Sequence, residues 1–265
     1  MLKVTGLAAG YGKTDFLRGL SFSLEPGQWL NIVGPNGGGK STLLKALMGM
    51  IPTRGSVELD GENLHRMPSG QRARKMGMLS QKVSTGYDFS VEEIVSMGRY
   101  VYRRKMWSGT EAENQAKIDE ALRLTGMEEK RRKSILSLSG GEQQRVFIAQ
   151  MLAQDPEVML LDEPGNHLDI RYKETLFEVL DGWSKREGRT LIMVNHDLSL
   201  ARAYGTHALL MREGSILAFG ETRSALTDLN LQRAYDTDVT GWMRRMAAQW
   251  MENVPGNGEN EISSR

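Results

Sequence analysis

Short apolar runs alternate along the chain with longer segments in which apolar residues recur every three or four positions. The short runs predict buried strands and the longer segments predict helices, so the pattern indicates a mostly parallel sheet covered by helices. We expect the first two strands to pair antiparallel, and the last two to form a hairpin at Glu213-Gly214. The predicted strands are Leu2–Leu7, Gly19–Leu24, Trp29–Val33, Ser56–Leu59, Met76–Ser80, Val158–Leu161, Thr190–Asn195, His207–Arg212 and Ser215–Phe219.

Residues 86–155 have a different character, because strand-like runs disappear and helix signals dominate. Ser90 is followed three positions later by a glutamate, and so is Thr110, which is the pattern of a helix-starting capping box. We interpret this stretch as a helical subdomain inserted into the α/β core.

Residues 1–240 are therefore predicted to form one domain that contains the helical insertion. Residues 241–265 are predicted to form a C-terminal tail. It begins with the amphipathic segment Trp242–Trp250 and ends in a polar stretch that we expect to be disordered.

Composition excludes several classes of protein. A chain of 265 residues suits one large α/β domain or a domain with an insertion. It has no cysteine, which excludes disulfide scaffolds, cysteine-ligated zinc and thiol catalysis. A net charge of +1 gives no strong attraction to nucleic acid. No segment approaches the ~18–20 apolar residues of a membrane span, and the short apolar start does not fit a signal peptide. We expect a soluble chain.

The clearest motif is GPNGGGKST at 34–42, between the predicted strand Trp29–Val33 and a helical pattern over Ser41–Met48. In that strand-to-helix context, G-x-x-x-x-G-K-S predicts a loop that binds the phosphates of a nucleoside triphosphate. Glycines let backbone amides face the phosphates, and the helix adds its positive end. Lys40 is predicted to reach the β- and γ-phosphates, and the Ser41 hydroxyl to ligate Mg²⁺. The predicted nucleotide contacts are Gly34, Pro35, Asn36, Gly37, Gly38, Gly39, Lys40, Ser41 and Thr42.

A second apolar run, Val158–Leu161, ends in two acids. Carboxylates at the carboxyl end of a buried parallel strand lie where such sheets bind ligands. We predict that Asp162 holds Mg²⁺ through water and that Glu163 polarises the water that attacks the γ-phosphate. Alternatively, Glu163 is an acid at a helix start before Pro164.

Three further residues are candidates because of where they fall. His196 follows the predicted strand Thr190–Asn195, and Gln81 follows Met76–Ser80, so both should emerge at the edge that carries the two acids. We predict that His196 contacts the γ-phosphate and that Gln81 contacts Mg²⁺ or the water. Tyr11 lies in a glycine-flanked loop, where its ring could stack on a base. Taken singly, each has an ordinary structural explanation.

Together these motifs resemble those of the ATP-binding cassette (ABC) ATPases, from about residue 2 to about residue 220. The deciding element is LSGGEQQR at 138–145, which is similar to the family's signature motif and lies between Gln81 and Asp162, in the family's order.

The resemblance implies a head-to-tail dimer, in which each signature motif completes the partner's nucleotide site. The signature motif of one chain would contact the γ-phosphate of the ATP that the partner's Lys40 holds. The physics agrees, because the start of the predicted helix 141–153 presents a positive dipole end to an anion; a well-capped helix with nothing bound is the alternative. The residues involved are Ser139, Gly140, Gly141, Glu142 and Gln143.

The same resemblance assigns further roles. Tyr11 would stack on adenine, Gln81 would sense Mg²⁺ and couple to a membrane partner, His196 would be the switch histidine, and Asp169 would communicate across the dimer. ATP and Mg²⁺ are the implied cofactors, with Ser41, Gln81 and Asp162 around the metal.

Two positions depart from the family's usual pattern. Gly38 stands where serine is common, which should matter little because the backbone amide does the binding. Gly165 stands where threonine or serine is common, which bears on the loop that leads to Asp169. We assign no chemistry to His167 within that loop.

Partners and cargo come only from the resemblance. It implies integral membrane permease subunits, indirectly a substrate-binding protein, and a peripheral place on the cytoplasmic face of the inner membrane. Phe89–Tyr100 and Leu226–Thr237 resemble importers of iron–siderophore, haem and cobalamin type. Importers of zinc, manganese or molybdate, and a soluble ABC ATPase such as a cluster-assembly factor, stay open. The basic and aromatic stretch Arg99–Trp107 is predicted to meet lipid headgroups or the permease rather than nucleic acid.

Overall fold

A computed structural model describes residues 1–11, 14–81, 86–102, 110–166 and 168–251 of the chain. Within these residues the strands are β1 (Leu2–Ala9), β2 (Leu17–Leu24), β3 (Trp29–Val33), β4 (Thr53–Leu59), β5 (Glu62–Asn63), β6 (Met76–Leu79), β7 (Val158–Asp162), β8 (Thr190–Val194), β9 (His207–Arg212) and β10 (Ser215–Glu221). The α-helices are α1 (Lys40–Met48), α2 (Ser69–Lys75), α3 (Val91–Met97), α4 (Glu111–Leu124), α5 (Gly140–Gln154), α6 (Ile170–Ser184), α7 (Leu198–Tyr204), α8 (Thr222–Ala225), α9 (Asp228–Tyr235) and α10 (Val239–Met251).

The central sheet has the strand order β10-β9-β3-β8-β7-β6. The strands from β9 to β6 run parallel, and β10 pairs antiparallel with β9, as predicted. Glu213 and Gly214 join β9 to β10 with φ values of 50° and 75°, the positive values that a two-residue hairpin turn needs. The prediction of a parallel sheet with a terminal hairpin is therefore confirmed.

A second sheet, with the order β2-β1-β4-β5, is antiparallel throughout. It contains the predicted antiparallel pair β1–β2. The edge strand β5 was not predicted, because two residues are too few to show an alternating pattern.

The central strands are buried on both faces, as parallel sheets usually are. In β7, Met159 and Leu161 pack with the core formed by the helical insertion and α6. Val158 and Leu160 pack on the opposite face with α1 and the antiparallel sheet. Since these two cores fix the strands from both sides, the carboxyl ends of the strands form a rigid base for a site.

Between β6 and β7, the region that we predict to be a helical insertion, the described residues form α3, α4 and α5. Complete capping boxes start α3 at Ser90 and α4 at Thr110, which confirms both helix-start predictions. Arg99 belongs to the core of this subdomain: it is buried, and it donates to Asn114 Oδ1 (2.9 Å) and to the carbonyl oxygen of Ala153 (2.8 Å). Arg99 is therefore not part of an exposed basic surface, contrary to the prediction for Arg99–Trp107. Residues 103–107 of that stretch lie outside the described residues.

The C-terminal helix α10 contains the predicted amphipathic segment and crosses residue 240. Trp242, Met246 and Trp250 are exposed on it. The expected disorder of the last polar stretch concerns residues 252–265, which are not described. In the described part of the chain, no helix combines the length and the apolar character needed to cross a membrane.

Candidate active site

The parallel strands end at a common edge, which brings the predicted site residues together. Val194 of β8 pairs with Ile32 of β3 on one side and with Asp162 of β7 on the other. Leu79 of β6 pairs with Leu161. The residues that follow these positions therefore emerge side by side, at the edge where open α/β sheets bind ligands.

The glycine-rich loop leaves β3 at Gly34 and leads directly into α1. Gly34 has a φ of 142°, and a Cβ atom added there would lie 2.2 Å from the carbonyl oxygen of Met211 on β9. Only glycine lets the loop turn this close to the neighbouring strand. α1 then starts at Lys40 without a side-chain cap on its first amides. An uncapped helix start after a curled glycine loop presents free N–H groups to an anion.

Lys40 is held over this loop by the loop itself. Its Nζ donates to the carbonyl oxygens of Gly34 (2.8 Å) and Pro35 (2.9 Å), and the residue is buried. Burial lowers the pKa of Lys40, while the charges of Glu163 and Asp162 act in the opposite direction. A buried ammonium group with two acids nearby is favourably placed for a phosphate, because the anion would replace lost hydration.

Asp162 and Ser41 face each other across the start of α1. The Ser41 hydroxyl donates to Asp162 Oδ1 at 3.1 Å. Burial raises the pKa of Asp162, the hydrogen bond from Ser41 lowers it, and the charge of Glu163 raises it further. A hydroxyl and a carboxylate oxygen beside a phosphate site are hard donors of the kind that Mg²⁺ prefers. The donor set therefore fits a magnesium ion shared with nucleotide phosphates.

Glu163 lies at the centre of a polar cluster. Its Oε2 accepts from Gln81 Nε2 (2.6 Å) and from Asn166 Nδ2, and its Oε1 contacts His196 Nε2. Its backbone has a φ of 53°, a left-handed conformation that is uncommon outside glycine and concentrates at functional sites. The alternative that Glu163 is a helix-start acid is wrong, because the next helix begins only at Ile170.

Asn166 is the member of this cluster that sequence reasoning missed. It lies in the loop after β7, and its amide fixes the orientation of the Glu163 carboxylate. The only signal available was its position three residues after that glutamate, which is shared by many loop asparagines.

An open cleft of about 650 Å³ lies over these groups. Its volume is in the range of small-molecule sites. Glu163 and His196 also line a second cavity of about 460 Å³, which extends towards Trp242 of α10. The residues that line the first cleft are Phe16, Asn36, Gly37, Gly39, Lys40, Ser41, Thr42, Gln81, Glu163 and His196.

Tyr11 is not among the residues that line this cleft. Its side chain is exposed, and Lys45 Nζ is 5.8 Å from the centre of its ring. Phe16, which the sequence reasoning did not select, is the aromatic residue that lines the cleft within the described residues. The base-stacking role of Tyr11 stays a prediction.

The signature motif forms the start of α5, and within the described residues it does not line the cleft of its own chain. Ser139 and Glu142 form a complete capping box on α5. The Gln143 Nε2 donates to the carbonyl oxygens of Ile135 (3.1 Å) and Leu138 (3.2 Å), which holds the preceding turn. The motif is therefore well ordered, but it is not joined to the nucleotide site of the same chain.

Asp169 has an evident structural role. Its side chain accepts from the backbone N–H of Tyr172 (2.9 Å) and caps α6. Its predicted role in communication across a dimer stays a prediction, and His167 beside it is among the undescribed residues.

The fold and the arrangement of these groups define a P-loop nucleoside triphosphatase: a parallel sheet carries a glycine-rich loop that leads into a helix, and two acids lie at the end of another strand of the same sheet, at the same edge.

Comparison with known proteins narrows this class. A family model described as ABC transporter matches residues 17–166. The chain is 36% identical over 251 residues to the uncharacterized ABC transporter ATP-binding protein YvrA of Bacillus subtilis (strain 168), covering 94% of this chain and 57% of that protein. It therefore spans little more than half of that relative's length.

Two relatives of more similar length carry a named transport role. The ferric enterobactin transport ATP-binding protein FepC of Escherichia coli (strain K12) is 38% identical over 230 residues, covering 86% of this chain and 84% of that protein. The hemin import ATP-binding protein HmuV of Pseudomonas entomophila (strain L48) is 38% identical over 245 residues, covering 90% and 94%.

Solved structures agree with this result. One is a chain of a transporter described as of metal-chelate type, in an inward-facing conformation; the TM-score is 0.75 at 28% identity, covering 89% of both chains. Another is a dimeric ATP-binding cassette in a post-hydrolysis state with ADP and Pi, with a TM-score of 0.75 at 26% identity, covering 84% of this chain and 99% of the other. The chain belongs to the ABC transporter family.

Proposed function

We propose that this chain drives the import of a metal chelate, of iron–siderophore, haem or cobalamin type, by hydrolysing ATP in a dimer of two copies. The observation that carries the hydrolytic part is the meeting of the Lys40 phosphate loop and the Glu163 carboxylate at one cleft. The transport part is supported by the names of the relatives, which include ferric enterobactin transport and hemin import.

The charged groups of the site and several of its polar groups have a proposed part in hydrolysis. Lys40 and the amides of the glycine loop bind the β- and γ-phosphates. Ser41 and Asp162 would hold Mg²⁺, with the Gln81 amide beside them, and the ion would neutralise phosphate charge. Glu163 orients and polarises the attacking water as a general base. His196, which contacts the Glu163 carboxylate, then lies close to the γ-phosphate.

The dimer explains why the signature motif does not reach the cleft of its own chain. In the proposed dimer, Ser139, Gly140 and Gly141 of one copy contact the γ-phosphate bound by the other. ATP then joins the two copies, and hydrolysis releases them. The existence of dimeric cassettes among similar structures supports this arrangement.

The proposed partners follow from transport. Permease subunits in the membrane would receive the movement of the dimer, and a substrate-binding protein would deliver the chelate to them. The chain would then work at the cytoplasmic face of the membrane. Import of zinc, manganese or molybdate is the second candidate, because it needs the same ATPase and differs in the permease and the substrate-binding protein.

A single variant tests both the dimer and the cargo. In Glu163→Gln the amide cannot act as a base, so we expect ATPase activity to fall by about a hundredfold or more. The purified variant should form a stable dimer with ATP, seen as a doubled mass in light scattering. In the native host, the same replacement should abolish uptake of radiolabelled iron–siderophore, haem or cobalamin.

The two parts of the proposal can fail separately. A variant that stays monomeric at saturating ATP would contradict the shared site. If Glu163→Gln abolishes uptake of zinc, manganese or molybdate and leaves chelate uptake unchanged, the proposed cargo is wrong and the proposed ATPase cycle still holds.

A further inference from the structure

The Ser139 hydroxyl is already engaged within its own chain. Its Oγ donates to Glu142 Oε2 at 2.9 Å, and the same carboxylate oxygen accepts from the Ser139 backbone N–H at 2.8 Å. To contact a phosphate, this hydroxyl must turn its proton from the carboxylate to the new anion. Glu142 therefore competes with the partner's ATP for the group that is proposed to bind it.

Glu142 also places a negative charge at the binding surface. One anion at the start of α5 is favourable, because it meets the positive end of the helix. A carboxylate and a γ-phosphate at the same helix start would repel each other strongly at contact distance. A motif that must accept ATP needs a compensating cation.

Lys130 supplies that cation from outside the motif. It ends the short 3₁₀ turn Glu128–Lys130, and its Nζ forms an ion pair with Glu142 Oε1. The Glu142 carboxylate thus has one oxygen on Lys130 and the other on Ser139. The side chains are 33% and 20% exposed, so the pair is accessible from the surface but only partly screened by water. The hydrogen bond from Lys130 is the largest cause that lowers the pKa of Glu142 to about 2, followed by the bonds from Ser139.

We propose that Lys130 is a positioning residue for the partner's ATP: it orients Glu142 and neutralises its charge, so that Ser139 and the start of α5 can accept the γ-phosphate. This inference rests on the proposed shared site. Lys130 acts through Glu142 and needs no contact with the nucleotide. A purely structural alternative is that Lys130 only anchors the turn before α5.

A double-mutant cycle separates these two roles. The variants are Lys130→Met, Lys130→Arg, Glu142→Gln and Lys130→Met with Glu142→Gln, all in the Glu163→Gln background that is expected to trap the dimer. Glutamine can keep the capping box but carries no charge. The first measurement is the ATP concentration that gives half-maximal dimer, by light scattering. The second is binding of a fluorescent ATP analogue to dilute monomer, which reports only on the chain's own phosphate loop.

We expect Lys130→Met to raise the ATP concentration for half-maximal dimer by about tenfold, which corresponds to about 1.4 kcal/mol and lies within the range of couplings between groups in contact. Lys130→Arg should stay within about threefold of the parent, because it keeps the charge. In the Glu142→Gln background, removing Lys130 should have little further effect. Binding of the analogue to the Lys130→Met monomer should equal that of the parent. The melting temperature of the Lys130→Met protein should also stay close to the parent's, because a partly exposed ion pair stabilises little.

Two results would overturn the inference. In the first, Lys130→Met leaves the ATP concentration for half-maximal dimer unchanged. In the second, Lys130→Met raises this concentration equally with and without Glu142→Gln, which would assign Lys130 to the turn alone. If the Glu163→Gln parent itself never dimerises with ATP, the proposed shared site fails and this inference fails with it. The parent measurement therefore shows which of the two is wrong.

Discussion

Two helices of this molecule begin at glycine-rich motifs, and their first turns are capped in opposite ways. α1 starts at Lys40 with no side-chain cap, so its first amides have no partner from a capping side chain. α5 starts at Gly140 behind a complete capping box of Ser139 and Glu142. An uncapped start leaves N–H groups that an anion can bind. A capped start is stable alone, and it can offer its surface to an anion that another chain carries.

The largest expected effects break the two starts separately. Lys40→Ala removes the cation of the phosphate loop, and we expect ATP binding and hydrolysis to be lost, each by about a hundredfold or more. Ser139→Arg blocks the start of α5 with a large side chain. We expect it to keep ATP binding by the monomer and to lose dimer formation and hydrolysis to a similar extent. Analogue binding to dilute monomer and ATPase assays measure these differences.

The contrast between these variants is the informative result. Mixing Lys40→Ala with Ser139→Arg protein would place one intact loop opposite one intact signature. Each mixed dimer then carries one complete site, so ATPase activity should return to the mixture if the site is shared between chains. If the mixture stays inactive while both proteins are folded, the two starts do not belong to one shared site.

A smaller effect is expected from a glycine-to-alanine substitution at each of the two glycine-rich motifs. Gly34→Ala would put a Cβ 2.2 Å from the carbonyl oxygen of Met211 at a φ of 142°, so it should destabilise the fold by on the order of 2 kcal/mol or more. Gly140→Ala meets no atom within 4 Å in the single chain. Urea unfolding should therefore leave its stability within about 0.5 kcal/mol of the parent's.

Gly140→Ala should nevertheless weaken the ATP-bound dimer. The methyl group takes space that we assign to the partner's γ-phosphate, so more ATP should be needed for half-maximal dimer formation. Normal dimer formation by a normally folded Gly140→Ala protein would show that this space is not used by a partner. The pair thus distinguishes glycine required by the fold from glycine required by assembly.

Local patterns predicted the parts of this molecule that are encoded locally. The strand before Gly34, the helix after it, and the predicted capping boxes of α3 and α4 depend on residues a few positions apart. For this reason the phosphate loop and the strand ends were correctly placed. Asp162 and Ser41 were predicted to share one site, because parallel strands bring their carboxyl ends together. In the structure, the Ser41 Oγ and the Asp162 Oδ1 are 3.1 Å apart.

Other features depend on contacts that no local pattern reports. Asn166 and Lys130 are ordinary loop residues in the sequence, and only the folded chain places them on Glu163 and Glu142. Arg99 looked like part of a basic surface, but it is buried because Asn114 and the end of α5 accept its hydrogen bonds. The proposed contact of the signature motif with the partner's ATP depends on a second chain, which a single sequence does not contain.

The smallest expected effects are on stability, and they should have opposite signs at the two helix starts. Burial raises the pKa of Asp162 above its ordinary value, so its charge opposes folding at neutral pH. Lys130 and Ser139 lower the pKa of Glu142 to about 2, so its charge favours folding. We therefore expect Asp162→Asn to stabilise the protein slightly at pH 7 and Glu142→Gln to destabilise it slightly, measured by urea unfolding.

The pH dependence follows from linkage. Glu142 contributes its full stabilisation above its unfolded-state pKa of about 4.5, and loses it as the pH falls towards 2. The loss caused by Glu142→Gln should therefore shrink steadily over that window. Asp162 behaves in the opposite way: lowering the pH through its raised pKa neutralises a buried charge, so the gain caused by Asp162→Asn should disappear as the carboxyl becomes protonated. We expect opposite signs because a ligand-binding site must tolerate unfavourable charge that a capped helix does not contain. If both variants shift the free energy of unfolding in the same direction at pH 7, the two helix starts do not differ in this way.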